Sequence, residues 1–155
     1  ERSGKVIFEH KQQEYKQVID PRVAFIVKDI LQEAARRGTA RKVAELGRGD
    51  LAGKTGTTNE AESTWFTGFN ESLVTSVWVG FDQPKSLGNR EFGSSTALPI
   101  WIDFMKPNLD LLPKNSGFPP EGLVSIKIDR KTGLKSSSNS RNTIFEYFLE
   151  EQLPR

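Results

Sequence analysis

The stretch Leu51-Ala52-Gly53-Lys54-Thr55-Gly56-Thr57-Thr58-Asn59 puts a lysine, three threonine hydroxyls and two bare glycines on one short extended run. The residues on its C-terminal side constrain the fold. Two runs rich in β-branched and aromatic residues, 65–69 and 74–81, flank the turn-forming Asn70-Glu71-Ser72, which is the pattern of a β-hairpin after an edge-like strand. A phosphate-cradling loop, Gly-x-x-x-x-Gly-Lys-Ser/Thr, competes for the same letters. It requires glycine where Arg48 stands, between Gly47 and Gly49, and a helix directly after the lysine to help hold the phosphates. No helical period comes after Lys54, so a P-loop phosphotransferase is the disfavoured alternative.

Before this stretch, Asp20-Pro21 supplies a helix cap and a proline at the first helical position. Val23, Val27, Ile30 and Ala34 then fall on one helical face, and Arg36-Arg37 with Gly38 end it, Gly38 as a C-terminal cap. That stripe predicts packing against the strands further along the chain. Residues 3–9 read as a short strand, 10–17 as a polar connection with a solvated His10, and 39–50 as a charged connector. After the hairpin come a turn over 82–85 and a loop over 86–93. A short helix is predicted over 97–106, capped by Ser95 or Thr96, with Pro99 in its first turn and Pro107 stopping it. Trp65, Phe66, Trp78 and Trp101 are expected in the core. Beyond Pro107 the chain turns proline- and serine-rich, with a strand at 123–129, a turn at 130–133 and an apolar closing segment at 144–149. This divides the chain into 1–106 and a strand- and loop-rich appendage, 107–155.

Composition removes several classes of function. The formal charge of +2, from 22 Lys and Arg against 20 Asp and Glu scattered along the chain, gives no basic face for nucleic acid. The absence of cysteine excludes thiolate metal sites and disulfides, and is compatible with an oxidising periplasm. No metal or cofactor is expected. No apolar run is long enough to span a membrane. The chain opens at Glu1-Arg2-Ser3 without an initiator methionine and reads as part of a longer protein whose targeting lies upstream.

Lys54-Thr55-Gly56 also matches in full the Lys-Thr-Gly element of penicillin-binding proteins and class A β-lactamases. Together with Arg37-Gly38-Thr39, residues 51–59, Trp65-Phe66-Thr67-Gly68, Val77-Trp78-Val79-Gly80 and Pro99-Ile100-Trp101-x-x-Phe104-Met105, in that order, the chain resembles the C-terminal part of the transpeptidase domain of class A (bifunctional) penicillin-binding proteins. The resemblance covers about 4–105. It implies a mixed α/β (α+β) fold, serine β-lactamase-like, with an antiparallel sheet flanked by helices, here as a partial domain. It also implies a D,D-transpeptidase that cross-links peptidoglycan through an acyl-enzyme and is acylated by β-lactams. The partners it implies are stem peptides ending in D-Ala-D-Ala, and its setting is the periplasmic face of the inner membrane.

In such a site Lys54 would steer the substrate carboxylate and polarise hydroxyls, and Thr55 and Thr57 would donate to that carboxylate. The Thr57 N–H would serve an oxyanion hole, and Gly56 would let a peptide lie along the strand. Thr58 and Asn59 would turn the chain at the rim of the cleft and are further candidates for ligand contact. Taken alone, Lys54 would be read as a solvated strand lysine and the threonines as ordinary strand formers.

The family's nucleophile motif, Ser-x-x-Lys, is absent from these residues. The near equivalents Thr39-x-x-Lys42 and Thr132-x-x-Lys135 are expected away from any helix start beside the strand. Ser137-x-Asn139 and Ser140-x-Asn142 match the Ser-x-Asn letters but come after Lys54 in a serine-rich tail. The chain is therefore expected to supply the Lys-Thr-Gly wall while an upstream part of the domain brings the nucleophile. A non-catalytic peptidoglycan-binding module is the other alternative.

Overall fold

A computed structural model describes residues 6, 8, 16–115, 117–136 and 141–154. The strand expected over 3–9, His10, and the Ser-x-Asn serines at 137 and 140 fall outside the described residues.

Helix α1 (Pro21–Arg37) starts as the sequence predicts: the Asp20 carboxylate accepts the Arg22 N–H at 2.8 Å, and Pro21 holds the first helical place. Its end differs. Gly38 is extended, at φ −90° and ψ −151°, rather than left-handed. Glycine is required there by proximity, because a Cβ would stand 2.8 Å from the Ala34 carbonyl oxygen. The predicted stripe also faces the other way. Val23, Val27 and Ile30 are 40%, 47% and 58% exposed, and the residues buried on α1 are Gln32 and Ala35. Periodicity identifies an apolar face without saying which neighbour covers it, and the helix meets the sheet through a different one.

The connector holds a 3-10 helix, Arg41–Leu46, and then a buried ion pair. Arg48 donates to both oxygens of Asp50, at 2.7 and 2.6 Å, and its remaining N–H groups reach the carbonyls of Leu109, Leu112 and Pro113. Both side chains are 4% exposed. Burial, the largest single influence, pushes the Asp50 carboxyl up, but the hydrogen bonds and charge of Arg48 together with backbone N–H groups outweigh it and hold the group below the usual carboxylate range.

Strands β1 (Ala52–Thr57), β2 (Ser63–Phe69) and β3 (Val74–Gly80) form an antiparallel sheet in that order. The side chain of Asn70 closes the β2–β3 turn by accepting the N–H groups of Ser72 and Leu73, each at 2.9 Å. Helix α2 (Ala97–Asn108) covers one sheet face, where Phe66 meets Trp101 edge-on with ring centroids 5.0 Å apart. Leu51, Val43, Leu98 and Met105 complete the core. Trp65 and Trp78 do not join it. Strand alternation sends Trp65 to the opposite face from Phe66, where it pairs with Trp78, and the two are 45% and 46% exposed.

Thr96 is the N-cap of α2, but its hydroxyl bonds the Phe92 carbonyl and Thr64 rather than the helix. Pro107 does not stop α2. It sits in the last turn, and Leu109 N–H still reaches the Met105 carbonyl, so the missing donor disrupts little. Strands β4 (Leu123–Asp129) and β5 (Thr143–Leu149) form a separate hairpin. It meets α1 through Phe25 and Tyr147, edge-on at 5.1 Å, and through an Arg22–Glu151 ion pair at 3.1 Å.

Removing one partner of the buried pair leaves the other charge uncompensated, so Asp50→Ala is expected to cost about 3–5 kcal/mol at neutral pH. The folded pKa of Asp50 is the lower one, so its contribution is complete above its unfolded value of about 3.9 and fades as pH falls through the folded value. Urea unfolding of both proteins across this range checks it: the gap should narrow in acid, and a pH-independent gap would exclude the pair as its source.

Candidate active site

The strand carrying the lysine is buried at its start and opens to solvent midway. Leu51 and Ala52 are each 1% exposed, whereas Lys54, Thr57, Thr58 and Asn59 are exposed and Thr55 and Gly56 are half-buried. Lys54 Nζ donates to the Thr55 carbonyl at 3.0 Å. Thr55 Oγ1 lies 2.8 Å from Thr39 Oγ1. Thr57 Oγ1 accepts the Gly93 N–H at 3.1 Å, which leaves its own O–H proton free to donate.

Register separates these groups into two sets. Lys54 pairs with Thr67 and Gly56 with Trp65, placing both on the face that also carries Trp78. Thr55 pairs with Phe66 and Thr57 with Thr64, on the face toward α2. The sets meet along the outer edge of β1, which no described strand pairs. An extended ligand on that edge reaches both, and its main chain finds unpaired strand groups there.

Thr58 works as a clasp. Its N–H reaches the Ser63 carbonyl at 3.0 Å, and its Oγ1 accepts the Ser63 N–H at 2.9 Å. Asn59 opens a 3-10 turn, Asn59–Ala61, in which Glu60 and Ala61 take φ of 62° and 53°, values uncommon outside glycine. Ser86 Oγ donates to the Glu60 carbonyl and Leu87 N–H to that of Ala61, each at 2.9 Å, holding the turn in place. A hollow of about 550 Å³ lies beside Thr57 and Thr58, walled by Arg90 and Phe92. A second, of about 580 Å³, is lined by Thr39, Lys42, Ser94 and Ser95. A single 3-10 turn and then a strand come after β1, so the helix a P-loop needs is missing.

Two contributors carry little signal in the sequence. Thr39 is expected away from any helix start beside the strand, yet its hydroxyl sits against Thr55, two residues before the 3-10 helix; its one mark is its place in Arg37-Gly38-Thr39. Thr132 instead lies in the β4–β5 turn, where its N–H bonds Asp129. Gly93, within the predicted loop, presses on the sheet so closely that a Cβ would come within 2.5 Å of the Trp65 carbonyl oxygen and 2.7 Å of that of Gly56. Nothing in its sequence context marks that contact.

Comparison with known proteins finds a matching family and similar chains. The family described as the penicillin binding protein transpeptidase domain matches residues 5–106. Penicillin-binding protein 1A of Pseudomonas aeruginosa is 47% identical over 137 residues, 88% of this chain and 17% of that protein. The protein of the same name from Neisseria gonorrhoeae is 50% identical over 109 residues, 70% of this chain and 14% of its own length. The crystal structure of penicillin-binding protein 1A from Haemophilus influenzae superposes with a TM-score of 0.84 at 36% identity, covering 94% of this chain and 22% of that one. The chain thus spans about a sixth of the curated relatives it matches.

Gly93→Ala should force the 92–96 segment off β1. The expected result is a loss of about 1–3 kcal/mol, with the amide resonances of Gly56 and Thr57 displaced because the Thr57–Gly93 bond is stretched. Unmoved Gly56 and Thr57 resonances in a folded variant would show that Gly93 does not position this strand.

Proposed function

The chain belongs to the transpeptidase family of class A penicillin-binding proteins, and from that premise we propose that it forms the Lys-Thr-Gly wall of a D,D-transpeptidase cleft. The observation carrying this reading is Lys54-Thr55-Gly56 on a strand whose outer edge is unpaired among the described residues. The substrate is a peptidoglycan stem peptide ending in D-Ala-D-Ala, lying along β1 as an added strand. β-Lactams compete for the same place.

Chemistry divides between this wall and a serine supplied by a Ser-x-x-Lys segment outside these 155 residues, with Ser-x-Asn beside it. The serine oxygen bonds to the penultimate D-alanine carbonyl carbon, and the terminal D-alanine leaves with a proton. An amine of a second stem peptide then displaces the serine, which recovers its proton. Lys54 attracts the terminal carboxylate. Thr57, its hydroxyl fixed by Gly93, donates to that carboxylate, and its backbone N–H stabilises the oxyanion. Thr55, paired with Thr39, is the second hydroxyl on this carboxylate. Gly56 keeps the path clear, and Thr58 and Asn59 shape the rim.

The working unit is residues 1–106, with 107–155 as an appendage. The whole protein acts at the periplasmic face of the inner membrane in the bacterial cell envelope, held by a segment elsewhere in the protein, with a glycosyltransferase domain upstream. Among the described residues no helix is long and apolar enough to cross a membrane.

Lys54→Ala in the whole protein should slow acylation by a fluorescent penicillin about 10- to 100-fold, the worth of one charge-assisted hydrogen bond. The lysine is exposed, so the melting temperature should stay within about 1–2 °C. Acylation within twofold of the parent would overturn the role of Lys54. The 155-residue chain by itself should take no label in intact mass spectrometry, and an adduct on it would mean that the nucleophile lies here.

A further inference from the structure

A groove of about 560 Å³ runs between α1 and the β4–β5 hairpin. None of its lining residues belongs to β1, and its chemistry does not depend on the reading of Lys54. Gln32 lines it from α1. That residue is only 5% exposed, yet its side-chain amide makes no hydrogen bond with any described residue. The amide meets the space of the groove, where its carbonyl can accept and its NH₂ can donate to a bound group.

Charges on the walls are arranged unevenly. Glu33 is occupied by Arg36 at 2.9 Å and by Arg37 at 3.3 Å, and Arg36 is further tied to the Gly49 carbonyl. Asp29 on α1 and Glu146 on β5 have no ion pair or side-chain hydrogen bond with described residues, nor has the guanidinium of Arg130. Burial, followed by neighbouring carboxylates, holds the Asp29 and Glu146 carboxyls above the usual range, while Arg130 and Arg37 oppose this at Glu146. A ligand carrying both charges can set each against its opposite here.

We propose that this groove binds a short peptide with free termini, its ammonium against Asp29 and Glu146, its carboxylate against Arg130, and its amide bond against Gln32. Three independent features of the wall favour that class. The groove has two carboxylates and a guanidinium without a direct ion pair, an amide without a hydrogen-bond partner, and an aromatic flank where Phe25 meets Tyr147. Its volume lies within the range of ordinary small-molecule sites. A metal ion is a poor alternative, because no three acidic or histidine side chains among the described residues converge to hold one.

The probe is L-alanyl-L-alanine, titrated into the 155-residue chain up to about 20 mM and followed by NMR. Saturable shifts are expected at the Gln32 side-chain amide and in residues 143–147. Acetyl-alanyl-alanine, which lacks the ammonium, and alanyl-alanine amide, which lacks the carboxylate, should each bind at least about tenfold more weakly. Glu146→Gln and Arg130→Gln should weaken alanyl-alanine by a similar factor while the fold, read by circular dichroism, is unchanged. Absence of saturable shifts, or shifts confined to β1, would overturn the proposal. So would equal binding of either blocked dipeptide, because the groove would then read a single charge.

Discussion

Much of this molecule hangs from one guanidinium. Arg48 stands where the connector enters β1, and it grips Asp50 on one side and the carbonyls of Leu109, Leu112 and Pro113 on the other. It therefore fastens the start of the lysine-bearing strand to the chain leaving α2. A buried charge is tolerated only when its donors are satisfied, and here all three guanidinium nitrogens find acceptors. The clamp fixes a position that side-chain packing leaves free to slide. Phe66 and Trp101 then fill the space between sheet and helix, and the depth at which β1 emerges into solvent is set at both ends.

That depth governs the candidate site. A strand offers its side chains alternately to two faces, so no straight strand can aim Lys54, Thr55 and Thr57 in one direction. The fold answers this by placing them at an open edge, where a ligand alongside the strand is flanked by both faces. It also brings outside groups to fix the hydroxyls: Thr39 for Thr55 and Gly93 for Thr57. Rigid hydroxyls cost a ligand less ordering on arrival than free rotors do.

Local patterns in the sequence make the elements legible. Asp20-Pro21 marks the start of α1, the aromatic runs mark β2 and β3, and the alternation at 123–129 marks β4 to the residue. Which surfaces face each other is not legible in the same way. Val23, Val27 and Ile30 form an apolar stripe that the described fold leaves exposed, and Trp65 differs from Phe66 only in which side of the sheet has a helix. Likewise the motif letters locate the candidate site, but the contacts of Thr39 and Gly93 join segments far apart in sequence and leave no local pattern to read. Periodicity reports a residue's own backbone, and partners come from topology.

The two outer edges of the three-stranded sheet differ in what protects them. β1 carries Lys54 near its middle, and a charge there discourages another chain from pairing at random. β3 has no such guard. Its residues, Val74-Thr75-Ser76-Val77-Trp78-Val79-Gly80, include no charge and no proline, and Val74 is 67% exposed. High strand propensity without a charge is the composition from which cross-strand stacking grows. Among the described residues β3 pairs with β2 alone, so a further strand joining the sheet on that side meets an edge without a charge, while one joining on the other side meets Lys54.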